Sequence, residues 1–78
     1  MKPEQIDATL DARDLLSPIP MVRATRVMKQ IPTGGVLEIL VTDRGSCIDI
    51  PVWCKAFNHE VLHREEASHM YRFYVRKG

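Results

Sequence analysis

Apolar positions recur along this chain with two alternating periods. From Pro18 to about Ile31, plotted at about 100° per residue, Met21, Ala24, Val27, Met28 and Ile31 gather on one arc. That spacing predicts an amphipathic helix with a core-facing stripe. Val36 to Thr42 alternates with period two instead. Leu37, Ile39 and Val41 point one way; Val36, Glu38, Leu40 and Thr42 point the other. Both faces are largely apolar, which predicts a central strand. Ile50, Trp53, Cys54 and Phe57 return to i, i+3, i+4, i+7 spacing and predict the core stripe of a second helix. Glu60 to Glu66 and Met70 to Lys77 then read as a hairpin. In its second strand Tyr71, Phe73 and Val75 form a buried face, alternating with Arg72, Tyr74 and Arg76 on a solvated one. A short, weak strand runs from about Ile6 to Ala12, after a polar start over residues 1–5 that is expected to fray.

The breakers between these runs agree with them. Ser17 stands where the first helix begins, with Pro18 and Pro20 in the opening turn. Serine is a favoured N-cap, and proline fits a first turn because its missing N–H would have no partner there. Pro32-Thr33-Gly34-Gly35 stops that helix. Asp43-Arg44-Gly45-Ser46 turns the chain into the second. Ser46 and Asp49 have capping-box spacing with Asp in place of Glu, so Ser46 is the expected cap with Pro51 early in the helix; otherwise Asp49 is the cap. Asn58-His59 ends it. The order β-α-β-α-β-β predicts an α+β fold, a two-layer sandwich with two helices on one face of a four-stranded mixed sheet. Residues 1–78 are expected to form a single domain.

Composition narrows the function classes. The 78 residues are 45% hydrophobic and 27% charged, with net charge +1 and a pI near 7.8. Such a balance provides no strong nonspecific pull toward nucleic acid. No apolar run approaches the roughly 20 residues of a membrane span. The start, Met-Lys-Pro-Glu-Gln-Ile-Asp, lacks a signal-peptide core, so the cytoplasm is the expected compartment. Two cysteines and three histidines form no zinc spacing, so neither a metal nor another cofactor is expected. On a helix, Cys47 and Cys54 would lie roughly 10 Å apart, beyond the roughly 7 Å limit of a disulfide, and two free thiols are expected.

Candidate chemistry centres on position 17. A side chain at the start of a helix stands at the positive end of its dipole, a favourable place for an anion or a thiolate. The opposite arc of the first helix carries Ile19, Val22, Arg23, Arg26 and Lys29. It reads either as a solvated face or as a docking surface beside residue 17. Cys54 falls within a core stripe and is expected to be a buried hydrophobe. Cys47, near the second helix start, is expected to be more exposed and is the better reactive thiol by position.

Leu10-Asp11-Ala12-Arg13, Ser17-Pro18-x-Pro20, Gly34-Gly35, Asp43, Asp49-Ile50-Pro51-x-Trp53-Cys54, His59-Glu60 and Tyr71-Arg72-Phe73-x-Val75-Arg76-Lys77 closely resemble the TusA/SirA-like sulfur-carrier proteins. The likeness covers nearly the whole chain. It implies a small cytosolic β-α-β-α-β-β protein that carries sulfur as a persulfide on the cysteine of a Cys-Pro-x-Pro motif. A cysteine desulfurase or rhodanese would donate the sulfur, and a DsrE-like protein would accept it. The destination would be tRNA 2-thiolation, another sulfur-containing cofactor or sulfur oxidation. Position 17 would be the carrier site, within a motif that includes Pro18 and Pro20. Arg13, Ile19, Val22, Arg23 and Arg26 would meet the partner proteins.

Two departures stand out. Asp14 replaces the family's usual glycine, and a carboxylate there disfavours a neighbouring thiolate. Ser17 replaces the carrier cysteine, and a hydroxyl cannot hold a persulfide. Ser17 therefore marks an inactivating Cys-to-Ser variant, a non-catalytic or regulatory paralogue docking through the same surface, or a chain in which Cys47 has taken over. RNA binding rests only on the translation-factor-like fold and three basic residues. A Ser17 hydrolase lacks a histidine placed near it, since His59, His63 and His69 all fall on or before the hairpin.

Overall fold

The computed structural model describes residues 2–78. Its elements are β1 (Ala8–Ala12), α1 (Ile19–Met28), β2 (Val36–Val41), α2 (Arg44–Ala56), β3 (Glu60–Ala67) and β4 (Met70–Arg76), the order read from the sequence. The strands form one mixed sheet in the order β1-β2-β4-β3. β1 runs parallel to β2, and β4 is antiparallel to both β2 and β3. A parallel pair needs a crossover, and α1 provides it.

The register aligns the apolar residues of neighbouring strands. Leu10 pairs with Ile39 and Ile39 with Phe73; Leu37 pairs with Val75. These residues form one buried cluster with Met21, Ala24 and Met28 of α1 and Ile50, Trp53 and Cys54 of α2. Both helices thus cover the same face of the sheet, giving the two-layer α+β sandwich. A tether reinforces the helix pair: the Trp53 indole N–H donates to Thr25 Oγ1 at 3.1 Å, and that hydroxyl donates to the Met21 carbonyl at 2.9 Å. The indole N–H and the hydroxyl are both matched, which offsets the cost of taking them from water.

Several boundaries differ from expectation. β1 begins at Ala8 rather than Ile6, although Asp7 exchanges bonds with Val36 just before it. The expected fraying includes Met1, which lies outside the described residues. α1 stops at Met28, and Gln30 and Ile31 close tighter i→i−3 turns, with Ile31 still buried. The Lys77 ammonium donates to the Ile31 carbonyl at 2.7 Å and so holds the turn that follows the helix. Val27 is half-buried beside the stripe rather than within it. Gly35 must be glycine, since a Cβ there would come within 2.9 Å of the Pro32 carbonyl. β2 ends at Val41, β3 runs one residue longer and β4 one shorter than read.

The second helix brings the largest revisions. Its N-cap is Asp43, whose carboxylate accepts from the Ser46 N–H at 3.1 Å. Neither Ser46 nor Asp49 is the cap; Ser46 is fully buried in the first turn. Asp-x-x-Ser precedes Ser-x-x-Asp here, and the earlier residue takes the extended backbone that capping requires. Pro51 therefore lies well inside α2 and gives the Cys47 carbonyl no N–H. Phe57 leaves the predicted stripe at 58% exposed, because α2 ends at Ala56 and Asn58 turns left-handed at φ 61°. On β4, Tyr74 is fully buried on the face away from the helices, against the one-sided pattern. There the His63 ring lies 5.9 Å from it and the Lys2 ammonium 5.8 Å above it. Arg72 extends this covered face by bridging Glu38 and Glu65 at 3.1 and 3.2 Å.

Candidate functional site

β1 and β2 are parallel neighbours, so the loops leaving their C-terminal ends emerge side by side. The loop after β1 carries Arg13 through Pro18; the one after β2 carries Thr42 and Asp43. They are joined by hydrogen bonds. The Asp14 N–H donates to Thr42 Oγ1 at 2.8 Å, and the Ser17 N–H donates to Asp43 Oδ2 at 3.0 Å. The same Asp43 oxygen accepts from the Ser46 N–H and, at 3.3 Å, from the Ser46 hydroxyl. One carboxylate thus caps α2 and fixes the backbone of residue 17. These donors, Ser17 N–H first, hold Asp43 below the usual carboxylate range.

The Ser17 side chain does not cap α1. The N-cap is Pro18, which makes no side-chain capping bond, and the Ser17–Pro18 peptide is cis. The Ser17 hydroxyl instead donates to Asp49 Oδ2, in the second turn of α2. Gly45 permits this approach: a Cβ there would meet Ser17 Cβ at 3.1 Å and Asp43 Oδ2 at 3.0 Å. Ser17 is therefore enclosed on one side by Asp43, Gly45 and Asp49. Asp14 adopts φ 67°, the left-handed region that favours glycine, and aspartate is among the few residues that tolerate it.

Away from these carboxylates, along the exposed side of α1, the surface is apolar and basic. Leu16 is 70% exposed, Ile19 43% and Val22 48%. Pro20, by contrast, is buried. Arg23, Arg26 and Lys29 are exposed along α1, which carries no acidic residue. Arg13 lies in the loop, paired with Asp11 at 2.8 Å; the guanidinium lowers the Asp11 carboxyl to about 2. The sequence-predicted residues Arg13, Ser17, Pro18, Ile19, Val22, Arg23 and Arg26 thus fall on this loop and the exposed side of α1.

The two thiols lie elsewhere. Cys54 is buried, and burial raises its thiol to about 11. Cys47 is also buried rather than exposed as expected. Its burial raises the thiol despite the opposing charges of Arg64 and Arg44, which border the same depression of about 400 Å³. The inward direction has a signal in the sequence: Cys47, Ile50 and Cys54 share i, i+3, i+7 spacing, so the core stripe extends back to Cys47. The contacts of Asp43, Gly45 and Asp49 with residue 17 were not assigned from sequence. Asp43 and Asp49 fall within the matching blocks, but nothing local points them toward position 17. Among the described residues no cluster of three or more His, Cys, Asp or Glu is arranged to hold a metal. No helix among them is long and apolar enough to cross a membrane.

Comparison with known proteins agrees with the fold and with the family resemblance. The model of the family described as sulfurtransferase TusA matches residues 8–77. The putative sulfur carrier protein YrkF of Bacillus subtilis is 42% identical over 69 residues, covering 88% of this chain but 37% of that protein. YrkI of the same organism, also a putative sulfur carrier protein, is 33% identical over 92% of this chain and 96% of its own length. The sulfur carrier protein TusA of Pseudomonas entomophila is 37% identical over 91% and 89% of the two chains. A SirA-like protein from Desulfitobacterium hafniense has the same fold, with a TM-score of 0.79 over 91% of this chain and 97% of that one at 22% identity. The chain belongs to the TusA family.

Proposed function

We propose that this chain is a sulfur-carrier-type protein of persulfide trafficking whose carrier position is blocked. It docks to the family's sulfur donors and acceptors and takes up no sulfur at residue 17. The observation that carries this reading is the Ser17 hydroxyl committed to Asp49, in a chain whose two thiols are both buried. Persulfide transfer requires a thiolate that attacks the outer sulfur of a donor persulfide, forms a new S–S bond and releases the donor thiolate. A serine oxygen forms no stable counterpart of that bond. The relatives named sulfur carrier proteins support the trafficking role.

Ser17 is read as a Cys-to-Ser replacement at the carrier position of Ser17-Pro18-x-Pro20. The docking surface is read as Arg13, Ile19, Val22, Arg23 and Arg26. A cysteine desulfurase or rhodanese is the proposed donor and a DsrE-like protein the proposed acceptor. The proposed setting is tRNA 2-thiolation or other sulfur metabolism in the cytoplasm. A second reading, a binding or regulatory paralogue without chemistry, is favoured by one specific observation. Asp49 accepts from the Ser17 hydroxyl, and Gly45 leaves room for that side chain.

Competition tests the proposal. Excess parent chain is added while a cysteine desulfurase loads a TusA relative with radiolabelled sulfur. Loading of the relative slows with parent chain and recovers with its Arg26→Glu variant. Loading unaffected by the parent chain contradicts docking.

A further inference from the structure

The wall beside residue 17 is acidic. The Ser17 hydroxyl donates to Asp49, and the Ser17 N–H donates to Asp43. Asp14 lies three residues earlier in the same loop, with its N–H held by Thr42. The cation of the same loop is occupied: Arg13 forks onto both carboxylate oxygens of Asp11. The α1 amides do not compensate. The Ile19 N–H donates to the Leu16 carbonyl, and those of Met21 and Val22 donate to the Pro18 carbonyl. A helix start that would stabilise an anion thus has its donors used internally and two carboxylates in contact with residue 17.

We propose that Asp49 is the positioning residue that holds the side chain at position 17 as a neutral hydrogen-bond donor and opposes an anion there. Asp43 already has three donors on one oxygen, which offset its charge locally. Asp49 has the Ser17 hydroxyl as its hydrogen-bond partner. A thiol substituted for that hydroxyl keeps the bond only while protonated; its thiolate faces the carboxylate as a like charge. With a cysteine at position 17, Asp49 therefore suppresses thiolate formation at the site that the proposed function identifies with sulfur carriage. The inference rests on that reading for its meaning in sulfur transfer. Its physical content stands apart from any partner.

The test compares Ser17→Cys with Ser17→Cys/Asp49→Asn and Ser17→Cys/Asp49→Ser. Iodoacetamide alkylation is followed against pH and located at position 17 by peptide mass, so the buried thiols do not enter the readout. The expected result is a thiol that titrates about one pH unit lower or more once Asp49 is neutralised. Alkylation at pH 7 is then about tenfold faster, while circular dichroism is unchanged. The serine variant serves if the asparagine variant misfolds. Equal titration with and without the carboxylate overturns the proposal, as does a thiol that titrates higher without it. Persulfide loading of the same variants by a desulfurase is measured separately. Failure to load with the titration shift intact contradicts the functional reading and leaves the role of Asp49 standing.

Discussion

The Ser17 hydroxyl donates to the Asp49 carboxylate across 32 residues of sequence, joining the loop before α1 to the second turn of α2. This bond defines the site more closely than the helix-start geometry around it. A hydroxyl aimed at a carboxylate belongs to a held loop, whereas a carrier group must be released toward a partner. The pair should therefore be energetically coupled. Ser17→Ala, Asp49→Ala and the double variant, compared by urea unfolding, are expected to give a coupling energy of about 1 kcal/mol. Asp49→Asn retains an acceptor and should recover most of the loss. Strictly additive single variants would argue against the bond.

Asp43 serves two loops at once, so its substitution should cost more than an ordinary cap. Asp43→Ala is expected to lower the melting temperature by several degrees at pH 7 and to loosen the Ser17 loop in hydrogen exchange. The pH dependence has a definite sign. The folded carboxyl is depressed below its unfolded value of about 4, so its stabilising contribution is complete above that value. It is lost as the pH falls through the lower, folded value. The gap between parent and variant should narrow only below about pH 4. A gap that is constant from pH 7 to pH 2.5 would remove Asp43 from this role.

Cys47 and Cys54 should be silent in the native protein. Both thiols are raised by burial, Cys54 to about 11. At pH 7.5 a disulfide-exchange reagent is expected to label neither thiol before the chain unfolds, and both thiols in urea. Rapid native labelling of Cys47 would return it to consideration as a carrier thiol.

The α1 face should govern partner binding through charge as well as apolar contact. Arg26→Glu is expected to weaken capture by a desulfurase about tenfold, with the larger effect at low salt. Val22→Asp should weaken it at any ionic strength, because Val22 is an exposed aliphatic beside residue 17. Binding unchanged in both variants would exclude this surface.

Much of the fold was legible because the apolar periods are clean. Leu37, Ile39 and Val41 face the core as read, as do Met21, Ala24 and Met28. Asn58 ends α2 in the left-handed conformation expected of it. Reading failed where two local signals overlapped. Asp43-x-x-Ser46 and Ser46-x-x-Asp49 are both capping patterns, and only the path of the chain selects the first. Tyr74 looked solvent-facing because its cover, Lys2 and His63, comes from outside its own strand. Cys47 looked exposed because proximity to a helix start outweighed its spacing from Ile50 and Cys54. The motif around Ser17 singles out this loop but not its contacts, since the partner of the hydroxyl, Asp49, arrives through tertiary packing.

The central claim is that the chain retains the carrier scaffold and lacks the carrier atom. The most direct measurement is intact mass under non-reducing conditions after incubation with a cysteine desulfurase and cysteine. The samples are the parent chain, Ser17→Cys, and each of these with Cys47→Ala. A one-sulfur gain is expected only in the two chains carrying Ser17→Cys, at a level limited by Asp49. A gain in the parent chain that disappears with Cys47→Ala would contradict the claim by locating the carrier at Cys47, and no gain in any chain would contradict the carrier scaffold itself.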